Sequence, residues 1–293
     1  MTLKTNTDTL TLNNGIKVPV IGYGTYKSQG DDVTSIVEFA LKHGYRHIDT
    51  AARYGNEDKV GAGIKNSGIP RKDIFVTTKL WNTDHKNVAE ALDTSLKKLG
   101  MDYVDLYLIH FPASWDSKNE PHKDWDFVDT WKQMQELLKT NKVRAIGVSN
   151  FTKKKLEYLL QSDGVTVVPA VNQIEAHPLL NQPELYDYLA QKNIVLEAHS
   201  PLGSYDSPLF KNETINKIAE KNGVTPAQLL ISWAVQRKTV VLPKSLAEER
   251  VASNIKTFEI PKEDFEELNH LTEKYGTSRC INPAYANFDD VGF

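Results

Sequence analysis

The chain has 293 residues and a mass of 33.0 kDa, enough for one large barrel or two ordinary domains. Hydrophobic residues make up 40% and charged ones 25%, as in a globular protein with a substantial core, and a net charge of −3 with a pI near 6.3 gives nothing to attract nucleic acid or an anionic membrane surface. The single cysteine, Cys280, rules out an intrachain disulfide and a multi-cysteine metal site. No apolar run reaches the ~18–20 residues of a membrane span, and the polar opening Met1–Asp8 does not read as a signal peptide, so a cytoplasmic location is expected.

In chain order, Leu10–Val18 comes first, and its Asn14-Gly15 signals a hairpin that would cap the bottom of the fold. Short, β-branched, apolar runs follow at Val20–Thr25, Arg46–Thr50, Ile74–Leu80, Val104–His110, Arg144–Ser149, Ala170–Ala176, Ile194–Ser200 and Val240–Pro243. Apolar on successive residues, they predict strands buried on both faces. Helical periods lie between them. Val88, Ala91, Leu92, Ser95, Leu96 and Leu99 share one face; Phe127–Leu138 and Pro226–Val235 behave alike, the latter opened by Thr225 as N-cap and Pro226 at N1. Lys153–Lys155 opens another helix and reads as a solvated face, with a cofactor-phosphate contact as the alternative. The polar insertion 116–125 and the weakly periodic tail after Thr277 would lie at the strands' C-terminal rim. Eight strand–helix units without a linker predict an α/β fold, a (β/α)₈ barrel forming one domain over 1–293, with extra C-terminal helices and a tail.

In such a barrel the C-terminal strand ends converge. Asp49, Lys79 and His110 stand at three successive ends, and Tyr54 lies in the loop after the first of them. An ammonium beside a phenol lowers its pKa from about 10, so Lys79 would lower that of Tyr54; Asp49 would keep Lys79 charged, and His110 would bond a carbonyl oxygen. From spacing alone, Asp49–Lys79 fits a structural ion pair and Tyr54 a loop aromatic equally well. Gly22-Tyr-Gly24-Thr-Tyr-Lys27 begins like a dinucleotide fingerprint, but Lys27 occupies the place of the third glycine, so the Rossmann signature fails. His43, His47, His85, His122, His177 and His270 show no metal-ligand spacing, and no metal site is expected.

Gly44–Glu57, Thr77–Trp81, Asp102–His110, Ile146–Phe151, Val171–Glu175, Ser200–Ser204 and Leu242–Ser245 together resemble the aldo-keto reductase family, in order and spacing over about residues 10–270. The nearest branch is that of fungal carbonyl, glycerol-dehydrogenase and xylose-reductase-like enzymes. The resemblance implies a barrel that binds NADPH in extended form and reduces aldehydes and ketones, with Tyr54 as general acid, Lys79 and Asp49 tuning it and His110 orienting the carbonyl. It implies that Ser149, Asn150 and Gln173 hold the nicotinamide carboxamide, that Ser200, Leu202 and Ser204 follow the pyrophosphate, and that Lys244, Ser245, Arg250 and Asn254 hold the adenosine end. Gly24, Thr25 and His199 complete the cofactor set. The cations Lys244 and Arg250 suit a ribose 2′-phosphate, which favours NADPH over NADH. Tyr26, Trp81, Phe111, Trp115 and Asn282 are expected in the substrate pocket, with Tyr285 and Phe288 as further candidates.

Four positions depart from the family pattern. His199 replaces an aromatic residue that stacks on the nicotinamide, Ser253 replaces an acidic residue near the adenosine, and Tyr26 and Phe111 stand where tryptophan is frequent. Competing functions are a Schiff-base lyase using Lys79 and a non-enzymatic NADPH-binding regulatory protein. A small-molecule carbonyl substrate and a monomeric state are expected; the identity of the carbonyl and the stereochemistry are not legible.

Overall fold

The structure is a computed structural model describing residues 2–28, 30, 32–204, 206–286 and 288. Its centre is an eight-stranded parallel sheet: β1 Tyr23–Gly24, β2 His47–Asp49, β3 Phe75–Leu80, β4 Val104–Ile109, β5 Val143–Ser149, β6 Val171–Glu175, β7 Val195–His199 and β8 Val240–Val241. Each strand pairs with the next in sequence. The sheet closes on itself through an Ile21–Val241 bridge, with Gly22 N donating to Val241 O at 2.9 Å and Val241 N to Val20 O at 2.8 Å. Closure satisfies both edge strands and makes the (β/α)₈ barrel.

Seven strands fall within the predicted runs, and β5 begins one residue earlier than expected, at Val143. The helices follow their periods too: Val88–Leu99 has the predicted ends, Phe127–Leu137 stops one residue early and Pro226–Gln236 runs one residue further. The cap at Thr225 is a capping box, Oγ1 accepting from Gln228 N at 3.2 Å while the Gln228 side chain accepts from Thr225 N at 3.1 Å. Val88, Leu92, Leu96 and Leu99 are buried against the strands. Truncating Leu92 to alanine would cost roughly 2–5 kcal/mol.

The pleat sorts the strand residues. Ile48, Val76, Tyr107, Ile146, Ile174 and Leu196 point out to the helices and build the main core. Their neighbours point in, because successive side chains alternate. At the bottom, Phe75, Leu106, Leu108, Ala145 and Val171 pack with Leu12 and Val18 of the predicted hairpin, whose strands Thr9–Thr11 and Lys17–Pro19 pair antiparallel around Gly15 at φ 85°. The bottom is therefore apolar and plugged. The same inward parity brings polar residues to the upper layers: Thr77, Gln173 and Glu197, then Asp49, Lys79, His110, Ser149 and His199.

Gly22 owes its identity to this interior. A Cβ there would stand 2.6 Å from Leu242 Cδ2 and 2.8 Å from His47 Nδ1, so close packing requires glycine, independent of any phosphate. One expectation needs correction. Lys155 is not part of a solvated face: it is buried and donates from Nζ to Ala286 O at 3.0 Å, because the C-terminal tail folds over that turn of helix Lys153–Gln161. Among the described residues no helix is long and apolar enough to cross a membrane.

Candidate active site

β2 and β3 end side by side, Asp49 opposite Thr77 in register, and Lys79 one inward step beyond reaches back across the gap. Its Nζ donates to Asp49 Oδ1 at 2.7 Å, to Thr50 O at 2.9 Å and to Tyr54 OH at 3.2 Å. All three ammonium hydrogens thus have acceptors. Tyr54 is the last residue of the 3₁₀ turn Ala52–Tyr54, which Gly55 ends at φ 68°. Its oxygen accepts from Lys79, so its own proton is free to point into the mouth. His110 follows β4, its ring 5.6 Å from that of Tyr54 at 75°. The four residues expected to meet are together.

Electrostatics alter one expectation. Burial pushes the Tyr54 phenol up to about 12, although the Lys79 ammonium pulls the other way. The lowered pKa expected from the Lys79 contact is not the resting state, because desolvation of the phenolate outweighs the nearby cation. Tyr54 therefore rests protonated, and the Lys79 ammonium beside it would favour a phenolate if one formed. Burial disfavours the charged Lys79, yet Asp49 and Tyr54 outweigh it and keep the ammonium above its ordinary range. Burial likewise lifts Asp49, against Lys79 and Gln173. With Lys79 at 2.7 Å and Gln173 at 2.8 Å donating to its two oxygens, we take the pair as carboxylate and ammonium. His110 is held well below the usual histidine range by burial, then by Lys79, His199 and Arg53. It is a neutral imidazole with one N–H to give.

The mouth has an aromatic wall. Phe111 stacks on His110 at 5.2 Å, and Trp81 meets His110 edge-on at 5.3 Å. Trp115 and Tyr285 close on Trp81 and on each other, at 5.8, 6.4 and 4.7 Å. Tyr26 lies across from them, 5.1 Å from Tyr54 and exposed. Asn282 is exposed and makes no hydrogen bond among the described residues. Tyr285, three residues on, holds the place by the wall. A cleft of about 790 Å³ opens beside the mouth, lined among others by Arg53, Trp81, Trp115, Tyr285, Thr94 and Lys98. Tyr54 and His110 do not line it, so this cleft adjoins the candidate site without containing it.

The family model for the aldo/keto reductase family matches residues 20–273. A glycerol 2-dehydrogenase (NADP(+)) of Saccharomyces cerevisiae is 50% identical, covering 98% of each chain. An aldehyde reductase of the same yeast is 47% identical over 98% of each. A glyoxal reductase of Bacillus subtilis is 43% identical, over 91% of this chain and 93% of its own. The chain belongs to the aldo/keto reductase family.

In this aldo/keto reductase the residues expected around a nicotinamide cofactor form a connected set. Ser149 Oγ donates to Gln173 O at 2.8 Å, and Asn150 Nδ2 donates to His110 O at 3.0 Å and Ser149 Oγ at 3.1 Å. Asn150 and Ser200 both carry positive φ, 63° and 51°, an uncommon conformation concentrated at sites whose surroundings enforce it. His199 is not merely a smaller stacking ring. Its Nε2 lies 2.9 Å from Asn150 Oδ1, which can only accept, so Nε2 carries the proton and Nδ1, 3.2 Å from Ser200 Oγ, accepts. Although an edge of the ring reaches the surface, desolvation holds it down to about 4 against the pull of Glu175. His199 therefore fixes which way the Asn150 amide points.

The far end of the set fits a phosphate. Lys244 stands below the ordinary lysine range, first through burial and then through the charges of Arg250 and Lys27. Neither Lys244 nor Arg250 forms an ion pair among the described residues. Converging cations without a carboxylate match a dianion better than they match one another. Ser245 and Asn254 are buried beside them, and Ser245 Oγ accepts from Ala247 N at 3.1 Å. Thr25 is buried and donates to Asp49 O at 3.0 Å, which ties the β1 end to the β2 end. Gly24 N donates to Pro243 O at 3.1 Å, and Leu202 and Ser204 lie half-buried on the loop after β7.

Gln173 has a second task that its spacing did not reveal. Its Nε2 donates both to Asp49 Oδ2 at 2.8 Å and to Glu197 Oε2 at 2.9 Å, leaving only its carbonyl oxygen for a ligand. Burial, followed by the Asp49 charge, pushes Glu197 up to about 8, so it is a neutral acid near pH 7. His47, 3.5 Å from Glu197 and pushed down by burial to about 3, is neutral too. One signal was available: a carboxylate inside an otherwise apolar strand, as in Val195-Leu-Glu-Ala-His199 and Val171-Asn-Gln-Ile-Glu175, is too costly to bury without a partner.

Proposed function

We propose that Tyr54 is the proton donor in the reversible NADPH-dependent reduction of an aldehyde or ketone to an alcohol. Support for the reaction class comes from family membership and from relatives whose names specify glycerol, aldehyde and glyoxal. One observation carries the assignment of roles: a buried ammonium 2.7 Å from Asp49 and 3.2 Å from the Tyr54 oxygen. Bound NADPH supplies a hydride to the carbonyl carbon. As negative charge grows on the carbonyl oxygen, Tyr54 hands it the phenolic proton. Lys79 stabilises the phenolate left behind, and Asp49 keeps Lys79 charged and aimed. Neutral His110 donates its N–H to the same oxygen and holds the carbonyl in the mouth.

The cofactor is held by Ser149, Asn150 and the Gln173 carbonyl at one end and by Lys244, Ser245, Arg250 and Asn254 at the other. Gly24, Thr25, His199, Ser200, Leu202 and Ser204 lie between. Tyr26, Trp81, Phe111 and Trp115 face the substrate. The protein works as a cytoplasmic monomer, a single barrel domain over 1–293. A Schiff-base role for Lys79 is disfavoured, because its amine is charged and its three hydrogens are engaged. Carbonyl-dependent loss of NADPH absorbance, abolished in Tyr54→Phe while NADPH binding persists, is the expected outcome. Tight NADPH binding without turnover of any aldehyde, ketoester or diketone would defeat the proposal, and borohydride trapping of a carbonyl on Lys79 would favour the lyase.

A further inference from the structure

Glu175 ends β6 on the inward side, one step above Gln173, yet it touches neither Lys79 nor Tyr54. Its carboxylate is buried, and its acceptor positions are engaged. Oε1 accepts from His177 Nε2 at 2.9 Å and from the backbone N–H of Cys280 at 2.7 Å. Oε2 accepts from the N–H of Ile281 at 2.7 Å. Although Glu175, His177 and Cys280 place ligand atoms within 4.8 Å of one another, these donors account for the carboxylate without a metal. Burial alone would raise its pKa, but the donors outweigh burial and hold it below the usual range. The carboxylate is therefore charged, and charge-assisted bonds to backbone N–H groups are the stronger kind.

Those two N–H groups belong to the C-terminal tail, more than a hundred residues further along the chain. Five residues beyond Ile281, Lys155 donates to Ala286 O at 3.0 Å. The span from Cys280 to Ala286 is thus tied at both ends to strand and helix. Tyr285 lies inside it, and its ring meets Trp115 at 4.7 Å, Phe111 at 5.2 Å and Trp81 at 6.4 Å. It is the only tail side chain with ring contacts to that wall among the described residues, and it lies between the two ties.

We infer that Glu175 and Lys155 are positioning residues for substrate selectivity, a two-point clamp that holds the tail so that Tyr285 completes the aromatic wall of the mouth. The clamp serves carbonyls large enough to reach the wall, such as aromatic aldehydes; short aliphatic aldehydes are reduced without touching it. This rests on the proposed site for carbonyl reduction.

The test compares Glu175→Gln, Lys155→Met, Lys155→Arg and Tyr285→Ala with the native chain, using propanal and 4-nitrobenzaldehyde with NADPH. An aromatic contact is worth about 0.5–1.5 kcal/mol, so KM for 4-nitrobenzaldehyde should rise roughly three- to tenfold in Glu175→Gln, Lys155→Met and Tyr285→Ala. Its kcat and the KM for propanal should stay within about twofold, and Lys155→Arg should restore the native value. Trypsin reports the clamp directly. The Arg279–Cys280 bond should resist cleavage in the native protein and be cut in Glu175→Gln at an unchanged melting temperature. Equal changes in KM for both aldehydes, or cleavage without any change in selectivity, would overturn the inference. If Glu175→Gln does not fold, Lys155→Met carries the same comparison. A native chain that reduces neither aldehyde, nor any ketoester or diketone, defeats the carbonyl-reduction reading instead, and the trypsin result still decides whether Glu175 holds the tail.

Discussion

The rim of β2–β4 and the aromatic wall that faces it are built by different physics. Asp49 and Lys79 are buried and bonded at 2.7 Å, on strands whose register leaves each side chain one place to go. The wall is made of rings from two loops and the tail, meeting at 4.7–6.4 Å without a hydrogen bond between them. On the proposed reading, proton transfer belongs to the rigid half, and discrimination among substrates to the half where a loop can change without disturbing the strands.

Substitutions on the two halves should therefore differ in size and kind. Tyr54→Phe should lower kcat roughly 10²–10⁴-fold, with NADPH affinity unchanged by fluorescence titration. Lys79→Met should do comparable damage to kcat. It should also cost roughly 3–5 kcal/mol in urea unfolding, since Asp49 would be left buried without its cation. If Asp49→Asn in the same chain recovers no stability, the pair is not ionised as described. At the cofactor's far end, Arg250→Ala should weaken NADPH binding about ten- to a hundredfold and NADH binding less than about threefold by calorimetry.

The buried interior sets a pH dependence of stability. His47 and His85 are each held down to about 3 by burial, against 6.5 when exposed. The unfolded chain takes up protons that the folded chain refuses, so stability present above pH 6.5 should fall on acidification, by up to roughly 1.4 kcal/mol per histidine per pH unit. Glu197 acts in the opposite direction. With its folded pKa raised from 4.5 to about 8, its contribution is whole below 4.5 and is lost as pH rises through 8. Stability should peak near pH 6.5, and Glu197→Gln should flatten the decline between pH 6.5 and 8, worth roughly 2 kcal/mol by denaturant titration. The smallest effect belongs to the wall's periphery. Asn282→Ala should change KM by less than about twofold, because the side chain is exposed and unbonded. A large change there would move the substrate toward the tail's outer side and weaken the contrast between rim and wall.

The alternation of short apolar runs with helical periods was enough to predict every barrel strand, since the faces packed on the helices must be apolar even where the inner face turns polar. Asp49, Tyr54, Lys79 and His110 were legible because a parallel barrel gathers the C-terminal ends of its strands whatever their spacing. Other features depended on contacts between distant segments. Lys155 looked like a solvated lysine until the tail was seen to lie over it. The place of Tyr285 against Trp115 likewise depends on how the tail folds back over the barrel.

The chain's own residues thus determined the barrel, the convergence of its polar groups and their chemical types, because local periodicity and strand parity are short-range properties. The tertiary structure decided which of those groups are charged. It showed that burial keeps the Tyr54 phenol protonated at rest in spite of Lys79, that Glu197 is neutral, and that Glu175 is spent on holding the tail. Protonation and partnership depend on desolvation and on neighbours a hundred residues away, and neither is written in the spacing of one strand.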